Sequence, residues 1–348
     1  MSEGHSDVLV VGGGPAGAAC ARLLAQAGLD VTVLDKAAFP RPKPCGEYTS
    51  PHVAAVLDRL GLRAAVDAAG ACWLDGMWLH PPGGPAWLVD YAAQGQRALA
   101  LPREVLDRVL LDGARGAGAH VVERCRARDL LRDRHGRVIG VAALAGRVAR
   151  TYRARLVVGA DGAQSAIVRA LGVGASMPWP RRIGLVAHYA EVNLEPWGEM
   201  HVGANGYCGL APLGQGLVNV GVVADLPRGS RHDSPIALFE RTIDALPGVQ
   251  RRLAQARRVS PVRGMAPLAR RVRRPCGDGW LLVGDAAGFL DPFTGDGVYE
   301  ALLGGMLAAR VARQALGRDD VSARGLAPYA RLRQRAFADK HRLAWLLQ

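Results

Sequence analysis

The sequence contains few lysines, few aromatic residues and no long apolar run. Only Lys36, Lys43 and Lys340 are lysines among its 348 residues, and aromatic residues make up 5 %. No stretch of about 18 uncharged apolar residues occurs, so the sequence predicts no transmembrane helix. Hydrophobic residues nevertheless make up 49 %, and this ordinary apolar fraction excludes a disordered chain.

The cysteines and histidines do not form a metal-binding motif. The six cysteines include no Cys-x-x-Cys pair, and no two histidines have the spacing of metal ligands. The sequence therefore predicts no metal site. The first residues lack the basic region of a secretory signal, which predicts a cytoplasmic protein with free thiols.

The formal net charge of +13 is carried by arginine. The densest run spans residues 250–275 and has no interleaved aromatic residue or nucleic-acid motif, so we predict no nucleic-acid partner. Arginine enrichment of the whole chain is one explanation of this run. The other is a surface for a diphosphate, a carboxylate or an acidic carrier protein.

Residues 7–35 have the pattern of a dinucleotide-binding unit. An apolar strand leads into a glycine-rich turn, an alanine-rich helix and a second strand that ends in Asp35. Glycines at this turn permit tight bending and close approach of a diphosphate to the N-terminus of the helix, and the acid can accept hydrogen bonds from ribose hydroxyls. The predicted cofactor-binding residues of this unit are Gly12, Gly14, Pro15, Ala16, Gly17, Asp35 and Lys36.

Two later segments indicate which kind of dinucleotide cofactor the protein binds. Residues 157–169 form a strand, an Asp-Gly turn and a helix, and residues 280–301 form a strand that ends in Gly-Asp, a proline and glycine turn, and an apolar helix. With the first unit, they resemble the FAD-dependent oxidoreductases of the para-hydroxybenzoate hydroxylase fold. The closing segment and residues 43–51 are most similar to the geranylgeranyl reductase group.

This resemblance implies that the cofactor is FAD. Besides those of the first unit, it assigns the following residues to the FAD site: Cys45, Gly46, Arg103, Cys125, Asp161, Gly284, Asp285, Pro292, Gly295, Gly297 and Val298. Two of these assignments have structural alternatives. Arg103 can instead form a salt bridge with Glu104 or Asp107, and Asp161 can instead cap the helix that follows it.

The predicted fold class is α/β, with a Rossmann-type FAD-binding domain and an inserted antiparallel-sheet substrate domain. We assign residues 1–71, 99–175 and 269–325 to the FAD-binding domain, 72–98 and 176–268 to the substrate domain, and 326–348 to a C-terminal helix. Five tryptophans fall in the substrate-domain segments. They predict either ordinary core packing or a tryptophan-rich wall for a hydrophobic substrate.

The candidate catalytic residues are Cys45, Glu47, Tyr48 and Tyr207. In the resembling reductases a Cys-Gly pair lies beside the flavin ring, which places Cys45 there, although a buried structural cysteine is the alternative. Glu47 and Tyr48 can offer a proton. The aromatic substrate motif of those reductases, Tyr-x-Trp-x-Phe-Pro, falls on residues 207–212, where Gly209 and Ala211 replace the Trp and Phe.

Reduction of a C=C bond in an isoprenoid or polyketide-like molecule by hydride from flavin N5 is the predicted reaction. The alternative is an FAD-dependent monooxygenase that hydroxylates or epoxidises an aromatic or alkene substrate through a C4a-hydroperoxide. No second glycine motif is present, so NAD(P)H is expected to dock near the flavin, or another protein supplies electrons. A non-catalytic FAD protein is a further interpretation.

The expected partner is a hydrophobic small molecule, with an anionic or carrier-bound form and peripheral contact with a membrane as further expectations. Flavin halogenases, which share the fold, need a lysine between flavin and substrate and a Trp-x-Trp-x-Ile-Pro stretch. The few lysines and the missing stretch argue against halogenation.

Overall fold

The apolar run near the start of the chain forms the centre of a parallel sheet. In the computed structural model, which describes residues 3–226 and 234–346, strand β1 (Glu3–Val11) leads through the glycine turn into helix α1 (Pro15–Gln26) and strand β2 (Val31–Leu34). Strand β1 is hydrogen-bonded on both sides, and its residues Val8–Val11 are buried, as a continuous apolar run requires in a parallel sheet. The predicted α/β class is confirmed.

The other strands of the described residues are mostly short. Those of the first half are β3 (Tyr48–Thr49), β4 (Cys72–Leu74), β5 (Gly76–His80), β6 (Trp87–Asp90), β7 (Ala98–Ala100), β8 (His120–Val122), β9 (Cys125–Arg132), β10 (Val138–Ala145) and β11 (Val148–Gly159). Those of the second half are β12 (Gly174–Ala175), β13 (Arg182–Ala190), β14 (Trp197–Gly203), β15 (Gly206–Pro212), β16 (Val218–Asp225), β17 (Arg257–Arg258), β18 (Arg263–Met265), β19 (Arg271–Val272), β20 (Cys276–Gly277) and β21 (Trp280–Leu282).

The remaining helices pack on the sheets or on one another. They are α2 (Val53–Leu60), α3 (Arg63–Ala68), α4 (Arg103–Gly116), α5 (Ala166–Leu171), α6 (Pro235–Asp244), α7 (Pro247–Leu253), α8 (Gly297–Gly317) and α9 (Ala323–Leu346). Short 3₁₀ turns span Ala92–Gln94 and Gly284–Ala287.

The first sheet has the strand order β20-β21-β11-β1-β2-β8, with β9 and β10 attached to β11 as an antiparallel extension. The pairs β21/β11, β11/β1, β1/β2 and β2/β8 are parallel. Strand order therefore reverses around β1, and the crevice at the carboxyl ends of β1 and β11 is where such sheets bind ligands.

The second sheet has the order β17-β13-β16-β15-β14-β5-β6, with β18 beside β13. It is antiparallel as predicted except for one pair, because β5 runs parallel to β14. That pair joins segments separated by more than a hundred residues, a contact that local pattern does not reveal. Strands β3, β7 and β4 form a small third sheet next to it.

Helix α1 packs tightly between the first sheet and α8. A Cβ atom on Gly305 of α8 would lie 2.3 Å from the carbonyl oxygen of Ala16, so a glycine is needed where the two helices meet. This contact holds the N-terminus of α8 and the N-terminus of α1 on the same side of the first sheet. The predicted domain ranges also include residues 1–2, 227–233 and 347–348, which lie outside the described residues.

Candidate active site

A cavity of about 790 Å³ lies between the carboxyl ends of the parallel strands and the second sheet. Its wall includes every predicted cofactor-binding residue except Gly17, and the candidate catalytic residues Cys45, Tyr48 and Tyr207. The sequence motifs, which are spread over almost 300 positions, therefore meet in one place. Glu47 alone among the four candidate catalytic residues does not line the cavity.

The glycine turn leaves room for a phosphate group at the N-terminus of α1. Gly12 has φ +109°, and a Cβ atom there would lie 2.3 Å from the carbonyl oxygen of Ala160. Gly17 stands behind the turn, where a Cβ atom would lie 1.9 Å from the oxygen of Gly12. At Gly14 the nearest atom to an added Cβ is Nη2 of Arg41, 3.5 Å away, so that position faces open cavity. The turn therefore fits a diphosphate on exposed backbone N–H groups.

Asp35 connects the turn to the end of β2. Its Oδ2 accepts a hydrogen bond from the Gly13 amide at 2.8 Å, and its Oδ1 accepts one from the Ala37 amide at 2.8 Å. The side chain is almost fully buried yet contributes to the cavity wall. Its remaining lone pairs suit ribose hydroxyls, as the sequence predicts.

Several basic side chains also line the cavity. They are Lys36, Arg41, Lys43, Arg103, Arg126, Arg128, Arg169 and Arg270. Lys43 contacts Asp285, with Nζ and Oδ2 3.1 Å apart. Burial alone would raise the pKa of Asp285, but the positive charges of Lys43, Arg103 and Arg270 together outweigh burial and hold that pKa below its usual range. Asp285 is therefore a carboxylate that can accept hydrogen bonds from hydroxyl groups.

The structural alternatives for Arg103 and Asp161 are present in the contacts. Arg103 forms a bidentate pair with Asp107, at 2.7 and 2.9 Å, while it lines the cavity. Asp161 accepts hydrogen bonds from the amides of Ala166 and Ile167 at the start of α5, and also lines the cavity. Arg103 and Asp161 therefore both line the cavity and stabilise a helix.

The closing segment brings the N-terminus of α8 to the cavity wall. Pro292, Gly295, Gly297 and Val298 form that part of the wall. Gly295 has φ +67°, and a Cβ atom there would lie 2.3 Å from the ring of Tyr48. The free amides and positive dipole end of this 21-residue helix favour negative charge next to it. With FAD bound, a positive dipole end at the cavity would stabilise the negative charge that the flavin gains on reduction.

Another part of the cavity wall is an apolar cluster, and methionines line it instead of tryptophans. This part of the wall contains Met77, Met200, Leu210, Val223, Met265, Leu268, Phe289 and Phe293. The expectation of a tryptophan-rich wall is wrong, because no tryptophan is among the described lining residues. Methionine is unbranched and flexible, so this wall can adapt to a long apolar molecule.

Tyr48 and Tyr207 each have a fixed hydrogen-bond partner that the sequence did not reveal. The hydroxyl of Tyr48 lies 2.8 Å from that of Tyr91, and the hydroxyl of Tyr207 donates to Asp291 at 2.5 Å. Burial raises the pKa of both Tyr48 and Tyr207 well above the usual value. Both phenols therefore keep their protons at neutral pH.

The sequence motifs did not single out Asp291 as a functional residue, although it lies inside the closing segment. It is buried, pairs with Arg182 at 3.1 Å and accepts a hydrogen bond from the Phe293 amide at 2.9 Å. The ring of Tyr207 packs edge-on against Phe293 at 5.0 Å. Tyr207 and Arg182 of the second sheet thereby fix the closing segment through one carboxylate.

Glu47 lies behind the cavity wall. Its carboxylate accepts hydrogen bonds from the Arg103 amide at 2.8 Å and from Asn219 Nδ2 at 2.9 Å, and lies 2.6 Å from His188 Nε2. Its placement favours a positioning role over direct proton transfer to a substrate. Neither His188 nor Asn219 carries a sequence signal that links it to residue 47.

The arginine-rich run 250–275 does not form one patch. Arg252 pairs with Glu199, Arg257 with Glu191 and Arg258 with Glu240. Within the run, the cavity wall of the described residues includes Arg270, whose Nε has no hydrogen-bond partner. Arg270 is therefore the member of the run that is placed to meet an anion in the cavity.

One group of potential metal ligands comes together in the described residues, and its carboxylate member also lines the cavity. It contains His80, Glu199 and His201. The two imidazole rings are stacked 4.1 Å apart with an interplanar angle of 3°, so their in-plane lone pairs run side by side and do not converge on one ion. Arg252 also occupies the carboxylate of Glu199. This geometry favours a charge network over a metal centre.

The fold and the site together define a flavoprotein oxidoreductase with a dinucleotide cradle, a helix N-terminus facing it and an apolar chamber. Residues 5–303 match the FAD binding domain family, and the chain belongs to this family. The protein is an FAD-dependent oxidoreductase. The FAD cofactor is thus established by family as well as by the fit of the cradle.

Similar proteins with curated names include several reductases. Digeranylgeranylglycerophospholipid reductase 1 of Methanopyrus kandleri is 36 % identical over 96 % of this chain and 87 % of its own. Menaquinone reductase of Mycolicibacterium smegmatis is 32 % identical over 88 % of this chain and 76 % of its own. The resemblance to geranylgeranyl reductases in the sequence is therefore confirmed.

Solved structures of both reductases and halogenases share the fold. A geranylgeranyl bacteriochlorophyll reductase-like protein from Thermoplasma acidophilum matches with a TM-score of 0.86 and 26 % identity, over 99 % of this chain and 87 % of its own. The flavin-dependent brominase Bmp2 matches with a TM-score of 0.88 and 25 % identity, over 98 % of this chain and 87 % of its own. In the described residues, no helix has the length and apolarity needed to cross a membrane.

Replacement of Gly14 tests the fit of the cradle. We expect Gly14→Val to fold normally, because its side chain enters open cavity, and to bind FAD at least about tenfold more weakly, because that space is then filled. The dissociation constant is measured by titrating apoprotein with FAD and following flavin fluorescence.

Gly174→Ala is the matched control, since an added Cβ there meets only Val168 at 3.5 Å, outside the cavity wall. Unchanged FAD affinity in Gly14→Val would contradict the placement of the diphosphate. Thermal unfolding of both apoproteins checks that the fold is retained.

Proposed function

We propose that this enzyme reduces a C=C bond in a hydrophobic isoprenoid or polyketide-like lipid. The observation that carries the proposal is the continuous cavity, in which the FAD cradle opens into a chamber lined by Met77, Met200 and Leu268. An alkene chain has no polar group to recognise, so it is bound by removal of apolar surface from water. The names of the similar reductases support an isoprenoid lipid as the substrate class.

FAD, when bound and reduced, supplies the hydride, and the chain must supply the proton. We propose Tyr48 as the proton donor. Its hydroxyl contacts Tyr91, which is only half-buried, so Tyr91 can return a proton from solvent. The raised pKa of Tyr48 keeps the proton on the oxygen until a developing carbanion accepts it. Cys45, on the same wall, is the alternative donor.

NAD(P)H is the proposed electron donor. Support comes from Arg270, whose pKa burial lowers, and from the nearby Arg169, both of which line the cavity. A partly buried guanidinium with an unpartnered Nε gains most from an anionic ligand. The same side chains can hold the phosphate or carboxylate of an anionic or carrier-bound substrate.

The lysine positions argue against halogenation. Lys43 pairs with Asp285, and Lys340 pairs with Asp296, outside the described cavity wall. Lys36 lines the cavity next to Asp35, which holds the glycine turn, and is not part of the apolar cluster. None of the three is in the apolar chamber, where a halogenase would need its lysine.

The product mass separates reduction from oxygenation. We expect a geranylgeranyl lipid incubated with the enzyme, FAD and NADPH to gain about 2 mass units for each bond reduced, as hydride plus proton requires. Mass spectrometry of the extracted lipid is the measurement. A gain of about 16 units would instead support the monooxygenase alternative, and no product with any reductant would support a non-catalytic FAD protein.

Tyr48→Phe tests the proton donor. The variant lacks only the hydroxyl, so we expect kcat for lipid reduction to fall about 10²-fold or more. Anaerobic reduction of the bound flavin by NADPH should keep its wild-type rate, because that step needs no proton from Tyr48. Tyr91→Phe is the companion variant, with a smaller expected loss. A Tyr48→Phe enzyme with wild-type kcat would leave Cys45 as the donor.

A lipid substrate makes peripheral membrane contact part of the proposal. Trp179 and Trp345 are about half exposed, their rings are 6.0 Å apart, and Leu343 and Leu346 of α9 are exposed beside them. Tryptophan rings favour the interface between lipid and water. We expect the double variant Trp179→Ser, Trp345→Ser to lose most of its flotation with anionic lipid vesicles. The exposed Trp87, replaced by Ser, is the control, and equal flotation of all three proteins would contradict the contact.

A further inference from the structure

A buried polar network lies directly behind the Cys45–Gly46 segment of the cavity wall. Its centre is the carboxylate of Glu47, whose side chain is 5 % exposed. Oε1 accepts from the Arg103 amide, while Oε2 meets both His188 Nε2, at 2.6 Å, and Asn219 Nδ2, at 2.9 Å. Glu47 belongs to a loop after the first strands, whereas His188 and Asn219 belong to the second sheet. The network therefore joins the two halves of the cavity.

The strand pattern explains why these two side chains reach Glu47. On β13, Gly184 and Val186 face the cavity, and His188 is the next residue on the same face. On β16, Gly221 and Val223 face the cavity, and Asn219 is the next residue on that face. His188 and Asn219 are opposite each other in the register. The side chains of β13 and β16 on this face are therefore polar at the point where the cavity ends.

Glu47 has a backbone conformation that its residue type rarely adopts. Its φ is +54°, in the left-handed region that glycine enters without strain. Such conformations persist where surrounding contacts impose them, and they concentrate at functional sites. Here the contacts are those of the carboxylate itself. Glycine would adopt the backbone conformation of position 47 without strain. The presence of a glutamate there indicates that its side chain has a function in the turn.

The turn determines how Cys45 faces the cavity. The Glu47 amide donates to Cys45 Sγ at 3.4 Å, and Asn219 Nδ2 donates to the Cys45 carbonyl at 3.0 Å. Gly46 packs against β16, since a Cβ atom on Gly221 would lie 3.5 Å from its Cα. Displacement of Glu47 would therefore move both Cys45 and Gly46.

His188 is itself held in one orientation. Its backbone amide donates to Ser260 Oγ at 2.8 Å, so the Ser260 hydroxyl is free to donate to Nδ1, 3.2 Å away. With Nδ1 accepting from Ser260, the hydrogen-bond network assigns a proton to Nε2, which donates it to the hydrogen bond with Glu47. The ring is a fixed donor aimed at the carboxylate.

We propose that His188 is a positioning residue, which through Glu47 fixes the Cys45–Gly46 segment at the reacting end of the cavity. The inference deepens the proposed lipid reduction and rests on it for its catalytic consequence. Loss of the His188 donor leaves a buried carboxylate short of a partner, and the strained turn then relaxes. The wall beside the flavin site loses its fixed shape, although neither His188 nor Glu47 touches the substrate.

The reactivity of the Cys45 thiol reports on this wall without any substrate. We expect His188→Ala to change the rate of Cys45 modification by a maleimide at least about fivefold, in the FAD-loaded and FAD-free protein alike. Cys45→Ser measures the background from other thiols, which is low because burial raises the pKa of Cys20 to about 12 and that of Cys72 to about 11. His188→Gln keeps an N–H donor and should restore most of the wild-type rate.

His201→Gln is the matched control, because His201 does not line the cavity and contacts a different buried carboxylate, that of Glu199 at 2.8 Å, which is not part of the Glu47 network. It should leave the Cys45 rate unchanged. Glu47→Gly relieves the backbone strain but removes the carboxylate, so it should behave like His188→Ala. Wild-type thiol rates in both His188→Ala and Glu47→Gly would overturn the proposal.

Catalysis provides the second measurement. We expect His188→Ala to lower kcat for lipid reduction about 10-fold to 100-fold with little change in KM, since the apolar chamber that binds the chain is intact. If the wild-type enzyme reduces no isoprenoid lipid, the proposed function fails, but the thiol rates still decide the role of His188. If lipid reduction occurs and His188→Ala retains full kcat, the positioning role is overturned while the function stands.

Discussion

Close approach of backbone to backbone at the glycine turn is the constraint on which the rest of this structure depends. Helix α1 can begin beside β1 only because Gly17 carries no side chain, as a Cβ atom there would lie 1.9 Å from the Gly12 carbonyl. The same helix meets α8 at Gly305, which brings the second helix N-terminus to the cavity. Two positive dipole ends thus reach one cavity, where the Arg41 guanidinium also lies beside the glycine turn.

Features that depend on local backbone could be predicted from the sequence. Four features have a geometry that their local sequence determines, and all of them reach the cavity wall. They are the glycine turn, Asp35, the Gly-Asp segment at 284–285 and the turn at 292–297. The fold class and the FAD cofactor follow from these segments. The Arg103 and Asp161 side chains also occupy helix-stabilising roles, because residues in the first turns of helices have both amides and charges within reach.

Features that depend on pairing between distant segments could not be predicted. Glu47 meets His188 and Asn219 across 141 and 172 positions, and the hydroxyl of Tyr48 meets that of Tyr91 across 43 positions. The parallel pairing of β5 with β14 has the same origin. The prediction of a tryptophan-rich cavity wall was wrong, because tryptophan content does not reveal which face of a strand lines the cavity. Methionines line it instead.

The cavity contains a charged cofactor site and an apolar chamber. The proposed reaction requires electrons to pass from the reduced cofactor to a lipid in the chamber without oxygen. The most direct test is a strictly anaerobic spectral titration of the FAD-loaded enzyme. After NADPH bleaches the flavin absorbance, addition of an isoprenoid lipid with C=C bonds should restore the oxidised spectrum in proportion to the bonds reduced. A spectrum that stays bleached with the lipid and returns only when oxygen is admitted would contradict the account.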